Sequence, residues 1–164
     1  MRLKLSTVSG LFLATAMWAQ SSGAHFMNNS VSGAIQSDGD LVVSFVEAGL
    51  GNADVSYLAS GSVSATYYCV SNSGSIPNAN NKHTVNGTAS TGGTFQPKNG
   101  KVTGNLTLEA PDAPVSDPPT CGNGQTLSLQ SITWSNVTLT DTTNSVSTNV
   151  TKGTFSITLF SAPQ

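Results

Sequence analysis

Apolar residues recur at every second position along most of this chain, which is the period of a β-strand with one buried face. Clear examples are Leu41-x-Val43-x-Phe45, Val63-x-Ala65-x-Tyr67-x-Cys69 and Phe155-x-Ile157-x-Leu159. No stretch keeps the period of an amphipathic helix. The pattern therefore predicts an all-β protein with roughly 8–10 short strands.

Turn signals separate the predicted strands. Asp38-Gly39 and Asn99-Gly100 are typical of tight hairpin turns. Ser60-Gly61-Ser62 is interpreted as a connection between the strands Val55–Ala59 and Val63–Cys69. Two further strands, with a weaker pattern, are predicted at Val85–Ala89 and Thr94–Gln96. Two polar or proline-rich stretches cannot continue a sheet and are predicted loops, namely Ser71–Lys82 and Ala110–Thr120.

The long segment Gln125–Thr140 changes the phase of its alternation twice. Leu127 and Leu129 share one phase, Ile132 and Trp134 take the other, and Val137 and Leu139 return to the first. Such changes predict two β-bulges, or a bend at which a strand crosses from one sheet to another.

Short strands with frequent turns are typical of two antiparallel sheets that pack face to face. We therefore expect one antiparallel β-sandwich of the immunoglobulin-like or Greek-key type. A β-barrel is the alternative that the same pattern allows. No internal repeat is visible, and the length suits a single domain at residues 25–164.

The first 24 residues are typical of a cleavable secretion signal. Met1–Lys4 supplies a basic start, Leu11–Ala19 is an uncharged apolar run, and Ser22-Gly23-Ala24 places small residues where a signal peptidase reads them. We expect cleavage after Ala24, and a cut after Ala19 is the alternative. Because a membrane-spanning helix needs about 20 apolar residues, the sequence predicts a secreted, extracellular protein with no membrane span.

Charge excludes one class of partner. Without the leader, four lysines remain against eight carboxylates, and no arginine remains. Nucleic-acid binding depends on clustered cations and on guanidinium groups, so no nucleic-acid partner is expected. Ser, Thr, Asn and Gly fill the polar positions instead, as is common in extracellular β-proteins.

Cys69 and Cys121 are the two cysteines of the chain, and both lie in the predicted secreted part. An oxidising compartment and an even count predict that they form a disulfide. The two cysteines are 52 residues apart, and in the chain-entropy account closing a loop of this length stabilises the fold by about 4 kcal/mol. No closely spaced cysteine partner is present for a metal or redox site.

Two sets of segments in the chain resemble known proteins. Ser64–Cys69 resembles, over six residues, the strand that carries the second cysteine of immunoglobulin variable domains. Four longer stretches are similar to small uncharacterised secreted proteins of microbes: Ala24–Phe26, Glu47–Asn52, Thr94–Gly104 and Thr138–Asn144. The second resemblance implies a secreted β-domain and brings no activity with it, so no catalytic residue is carried over.

Five Asn-x-Ser/Thr sequons lie in the predicted secreted part and are candidates for N-glycosylation in a eukaryotic producer. The asparagines are Asn28, Asn86, Asn105, Asn136 and Asn149.

Groups for the common catalytic mechanisms are sparse. There is no Gly-x-Ser-x-Gly motif, and a Ser-His-Asp triad would have to use His83. Most carboxylates occupy predicted turns, where Asp is favoured for backbone reasons. The balance favours a non-enzymatic protein without a cofactor.

His25 is the exception. Cleavage after Ala24 would expose the amine and the imidazole of His25 together. With the imidazole of His83, they resemble the histidine brace of lytic polysaccharide monooxygenases and related small copper proteins. Because copper(II) favours such nitrogen sets, a small secreted copper-binding protein is the alternative function.

The leading hypothesis is a secreted, effector-like binding module for a glycan, a cell wall or a host-surface protein. Tyr57, Tyr68 and Trp134 are the aromatic side chains that would stack on a sugar if they were exposed. The two predicted loops are the expected contact surfaces, because loops commonly carry recognition.

Overall fold

The computed structural model describes residues 23–75, 82–113 and 121–160. The predicted leader lies outside these ranges except for Gly23 and Ala24, and so do parts of both predicted loops. Within the described residues every regular element is a β-strand, and the strands form two antiparallel sheets that pack together. The sheets do not close into a barrel, so the predicted sandwich is confirmed over its alternative.

Nine strands occur in the described part of the chain: β1 His25–Phe26, β2 Ser32–Ile35, β3 Leu41–Ala48, β4 Val55–Ser71, β5 Lys82–Phe95, β6 Lys101–Leu108, β7 Gln125–Asp141, β8 Val146–Asn149 and β9 Thr154–Thr158. In the four-stranded sheet, β3 pairs with β6 on one edge and with β1 and β2 in succession on the other. In the five-stranded sheet the order is β5-β4-β7, and β8 and β9 pair with successive parts of the far edge of β7.

Alternation fills the space between the sheets. In β3 the inward positions Leu41, Val43 and Phe45 are almost completely buried, while the intervening residues are partly or fully exposed. They meet inward residues of β4 and β7, among them Tyr57 and Trp134, in one continuous core. Burial of this apolar area is the main favourable term in the folding of such a domain.

Strand β7 contains the two predicted bulges. Its register against β4 shifts between Ser60 and Ser62 and again between Thr66 and Tyr67. At each shift β7 supplies one more residue than β4, near Asn136 and at Gln130. The phase changes are therefore bulges, and β7 does not cross between sheets because it stays beside β4 throughout.

Two predicted strand breaks are wrong. Ser60-Gly61-Ser62 lies inside β4, and a Cβ atom on Gly61 would come within 3.2 Å of Cγ2 of Val137. The glycine therefore serves a close approach within the core and not a turn. Likewise, Val85–Ala89 and Thr94–Gln96 were predicted apart, but β5 runs without interruption to Phe95.

The predicted disulfide is present. Cys69 in β4 is bonded to Cys121, with 5.4 Å between their Cα atoms. It ties β4 to the segment that leads into β7. No helix in the described ranges is long and apolar enough to cross a membrane.

Candidate functional site

The outer face of the five-stranded sheet is lined almost entirely by small polar side chains. We call it the hydroxyl face and define it by the outward positions of β4, β5, β7, β8 and β9. Strand pairing places these side chains in rows across the sheet. Five consecutive rows are Gly92-Leu58-Thr140-Ser147, Ser90-Ser60-Thr138-Asn149, Thr88-Ser62-Ser135-Thr154, Asn86-Ser64-Thr133-Ser156 and Thr84-Thr66-Ser131-Thr158. The row beyond the last of these contains Lys82, Tyr68 and Ser128 and marks the end of the hydroxyl face.

Hydroxyl groups in neighbouring strands are paired across this face. Oγ of Ser60 and Oγ1 of Thr138 are 3.0 Å apart, and Oγ1 of Thr140 and Oγ of Ser147 are also 3.0 Å apart. Similar pairs join Ser56 to Thr94 and Thr133 to Ser156. Because a hydroxyl group can donate one hydrogen bond and accept two, each paired hydroxyl keeps capacity for a ligand while its direction is restrained.

No position in these rows is charged. Two positions have neither a hydroxyl nor an amide, namely Gly92 and Leu58, and Leu58 is 42% exposed. Neighbouring strands are about 4.8 Å apart and successive outward residues of one strand about 6.7 Å apart. The surface is therefore a repeating array of neutral hydrogen-bonding groups.

A second polar feature lies inside the sandwich, at the end where β1 pairs with β3. Glu47 in β3, Tyr57 in β4 and Asp141 in β7 all point inward and are fully or almost fully buried. We call them the buried polar cluster. Phe26, Phe45 and Phe95 surround the Tyr57 ring, with ring centroids 4.6–6.4 Å from it. These rings exclude water from the cluster.

Asp141 is fully satisfied by its own turn. Its Oδ1 accepts hydrogen bonds from the backbone N–H groups of Thr143 and Asn144, at 2.8 and 2.9 Å. Its Oδ2 accepts one from the Asn144 side-chain amide at 2.6 Å.

Glu47 is not satisfied. Among the described residues, neither of its carboxyl oxygens, nor the hydroxyl of Tyr57, has a hydrogen-bond partner. Burial, and after it the neighbouring Asp141 carboxylate, raises the pKa of Glu47 to about 7. Tyr57 and, to a smaller extent, His25 lower the pKa of Glu47. The Tyr57 hydroxyl lies near Glu47 but outside hydrogen-bond geometry with it. Burial and Glu47 also raise the pKa of Tyr57.

The two histidines of the predicted copper brace lie at opposite ends of the sandwich. His25 precedes Phe26, whose ring contacts Tyr57, and Tyr57 pairs with Gly93 of β5. His83 lies ten residues earlier in β5, which corresponds to roughly 33 Å of strand. One ion cannot bind both imidazoles in this fold. Among the described residues, no group of three or more His, Cys, Asp or Glu side chains is arranged to hold a metal.

The three aromatic residues that the sequence offers for stacking on a sugar have little exposed surface. Trp134 is completely buried, Tyr57 is 2% exposed and Tyr68 is 9% exposed. The rings of Trp134 and Tyr57 fill the space between the sheets. Tyr68 follows the inward Tyr67 and takes the outward phase of β4, where it pairs with Lys82 and Ser128. All five sequon asparagines are exposed: Asn28, Asn86, Asn105, Asn136 and Asn149. Asn86 and Asn149 lie on the hydroxyl face, at its two edges.

The four stretches that resemble secreted microbial proteins meet at one end of the molecule. His25 and Phe26 pair with Ala48 and Glu47. The Leu50 N–H donates a hydrogen bond to the carbonyl oxygen of Gly100, in the third stretch. Asp141 brings the fourth stretch to Glu47. Both buried carboxylates continue the inward phase of their strands, so alternation alone would have placed them in the core.

Comparison with the models of known protein families gives no match to this chain, and a search of curated proteins finds none that is significantly similar.

Proposed function

We propose that the protein is a secreted, non-enzymatic binding module for neutral polysaccharide, such as the glycan of a cell wall. The observation that carries this proposal is the hydroxyl face, with its rows of Ser and Thr across the five-stranded sheet. This surface replaces the two loops and the buried aromatic residues as the expected contact region.

The chemistry of the face suits such a ligand. A neutral polysaccharide presents hydroxyl groups that both donate and accept hydrogen bonds, as Ser and Thr do. Because no charged side chain stands in the rows, binding requires no desolvation of an ion. The absence of clustered cations also disfavours anionic ligands such as phosphate or nucleic acid.

The restrained geometry supports the proposal further. Cross-strand hydroxyl pairs such as Ser60–Thr138 hold the side chains in place before a ligand arrives. Short side chains lose little rotamer freedom on binding, and preorganised groups lower the entropic cost of association. A single hydroxyl contact contributes little, so affinity must come from many contacts along an extended chain.

A sedimentation assay with particulate polysaccharides tests the proposal. The probes are amorphous cellulose, amorphous chitin and β-glucan, with an anion-exchange and a cation-exchange resin as charged controls. We expect retention by at least one neutral polysaccharide and none by the resins.

Ser62→Glu places a charge in the centre of the hydroxyl face, and we expect it to weaken binding by about tenfold or more. Ser44→Glu is the matched control, because Ser44 is exposed on the outer face of the other sheet, where it pairs with Asn105. Equal loss in both variants, or no retention of the unmodified protein by any polysaccharide, overturns the proposal.

A further inference from the structure

We propose that the buried polar cluster is a binding site for the protein's own N-terminal ammonium group, which is created when the leader is cleaved after Ala24. The inference rests on that predicted cleavage and is independent of polysaccharide binding.

When Glu47 is ionised, the buried polar cluster has more hydrogen-bond acceptors than donors, because both carboxylates only accept and the Tyr57 hydroxyl supplies one donor. Within the part of the chain that the structure describes, three buried oxygens have no hydrogen-bond partner: Oε1 and Oε2 of Glu47 and the hydroxyl oxygen of Tyr57. Buried polar groups in native proteins are nearly always paired, and buried charges are paired with opposite charge or with an ion. An ammonium group carries N–H donors for both oxygens of Glu47 and one positive charge for the carboxylate that has no partner, and the Tyr57 hydroxyl oxygen can accept a further N–H.

Glu47 is the carboxylate that needs the cation. Asp141 already receives three hydrogen bonds from its own turn. A metal ion fits the cluster less well, because only two carboxylates meet there and the described residues contain no group of three metal-binding side chains. The imidazole of His25 is close enough to Glu47 to lower its pKa, so the residue that would carry the ammonium group lies beside this carboxylate.

The pairing of β1 with β3 places the new N-terminus beside the buried polar cluster. Phe26 is directly opposite Glu47 and His25 is opposite Ala48 in the pairing of β1 with β3. The Met27 N–H, hydrogen-bonded to Val46 at 3.0 Å, fastens the end of this short strand. The nitrogen of His25 is therefore held next to the residue that faces Glu47.

Cleavage would also make room. Before the cut, Ala24 packs against the core and Gly23 lies against the backbone of Gly49. Hydrolysis of the Ala24–His25 amide adds water across the bond, so that the carboxylate leaves with Ala24 and the His25 nitrogen becomes an amine that takes up a proton. The space that Ala24 occupied is then open to the ammonium group.

The experiment compares two forms of the protein that differ only in their first residues. Each is released from a carrier by a protease that leaves no extra residue, one beginning at His25 and the other at Gly23. We expect the form that begins at His25 to melt about 5 °C higher at pH 7.5. Acetylation of the terminal amine removes its positive charge and should abolish this increase in melting temperature. Reductive dimethylation is unsuitable because it keeps the charge.

Glu47→Gln should remove the difference between the two forms, whereas Glu109→Gln, a change at an exposed carboxylate, should preserve it. N-terminal sequencing of the protein secreted by an exporting host completes the test, with His25 as the expected first residue. Equal melting temperatures of the two forms, or a difference that persists in Glu47→Gln, overturn the ammonium site. A secreted form that begins elsewhere overturns its creation by processing, whatever the melting experiment shows.

Discussion

The indole nitrogen of Trp134 donates a 3.0 Å hydrogen bond to the carbonyl oxygen of Gly39, which lies at the turn between β2 and β3. This buried bond joins the two sheets across 95 residues of sequence. It gives Trp134 both a packing role and a polar role in the core.

Trp134→Phe should therefore destabilise the protein by about 3 kcal/mol. The change removes the indole N–H that donates to the buried carbonyl group of Gly39, and it leaves space where the larger ring was. Urea unfolding measures the loss. Thr133→Val, an outward substitution on the same strand, is the control and should change stability by less than about 0.5 kcal/mol. A similar loss in both variants would contradict the role assigned to the indole.

Gly33→Ala should destabilise the edge at which β2 meets β9. A Cβ atom on Gly33 would lie 2.6 Å from Cζ of Phe155, whose ring fills this edge. Overpacking of this kind costs about 1–3 kcal/mol. In the double variant, Phe155→Leu should relieve the clash, so the combined loss should be smaller than the sum of the two single losses. Additive losses, measured by thermal unfolding, would show that the ring is not the obstacle.

Stability should fall with rising pH in the form that retains Gly23 and Ala24. The pKa of Glu47 is about 7 in the folded state against 4.5 for an ordinary glutamate. The folded state therefore holds the proton more tightly, and the stabilisation is full below pH 4.5 and lost as pH rises through about 7. The resulting decrease in the free energy of unfolding is about 3 kcal/mol. Denaturant titrations between pH 4 and 8 measure this change in the free energy of unfolding. Glu47→Gln should flatten the dependence on pH, and an unchanged slope in that variant would assign the dependence to other groups.

N-linked glycans should interfere with polysaccharide binding in a position-dependent way. A glycan on Asn86 or Asn149 would stand on the hydroxyl face, whereas Asn105 lies on the outer face of the other sheet. Asn136 is also exposed, at a bulge of β7 in the same sheet. We expect protein from an N-glycosylating host to bind poorly and to regain binding in the triple variant Asn86→Gln, Asn136→Gln and Asn149→Gln. Asn105→Gln should not restore it. Mass spectrometry establishes which sequons are occupied before the sedimentation assay.

Much of the fold follows from alternation alone. The phase of Leu129, Ile132 and Val137 located both bulges of β7, and the same rule would have placed Glu47 and Asp141 in the core. The prediction failed where one residue type serves two purposes. Gly61 satisfies a turn pattern, but its actual role is a close approach to Val137, which depends on a strand more than 70 residues away in the sequence.

The candidate sites were harder to predict for a related reason. Outward Ser and Thr residues in one strand are ordinary, and they become a surface only through the pairing of β4 with β5 and β7. The meeting of Glu47 with Tyr57 likewise depends on how the two sheets are placed against each other. Periodicity reports which face of a strand a residue occupies and does not report its neighbour on another strand.

The bulges of β7 have a consequence for what the outer surface can hold. Each extra residue increases the right-handed twist of the sheet at its position, and the two lie at separate points along the rows of Ser and Thr. The surface consequently turns along its length like a ribbon. A crystalline fibre offers a rigid plane and would touch such a ribbon only locally, whereas a single loose chain can follow the turn. We therefore expect capture of disordered glycan strands in preference to crystal faces.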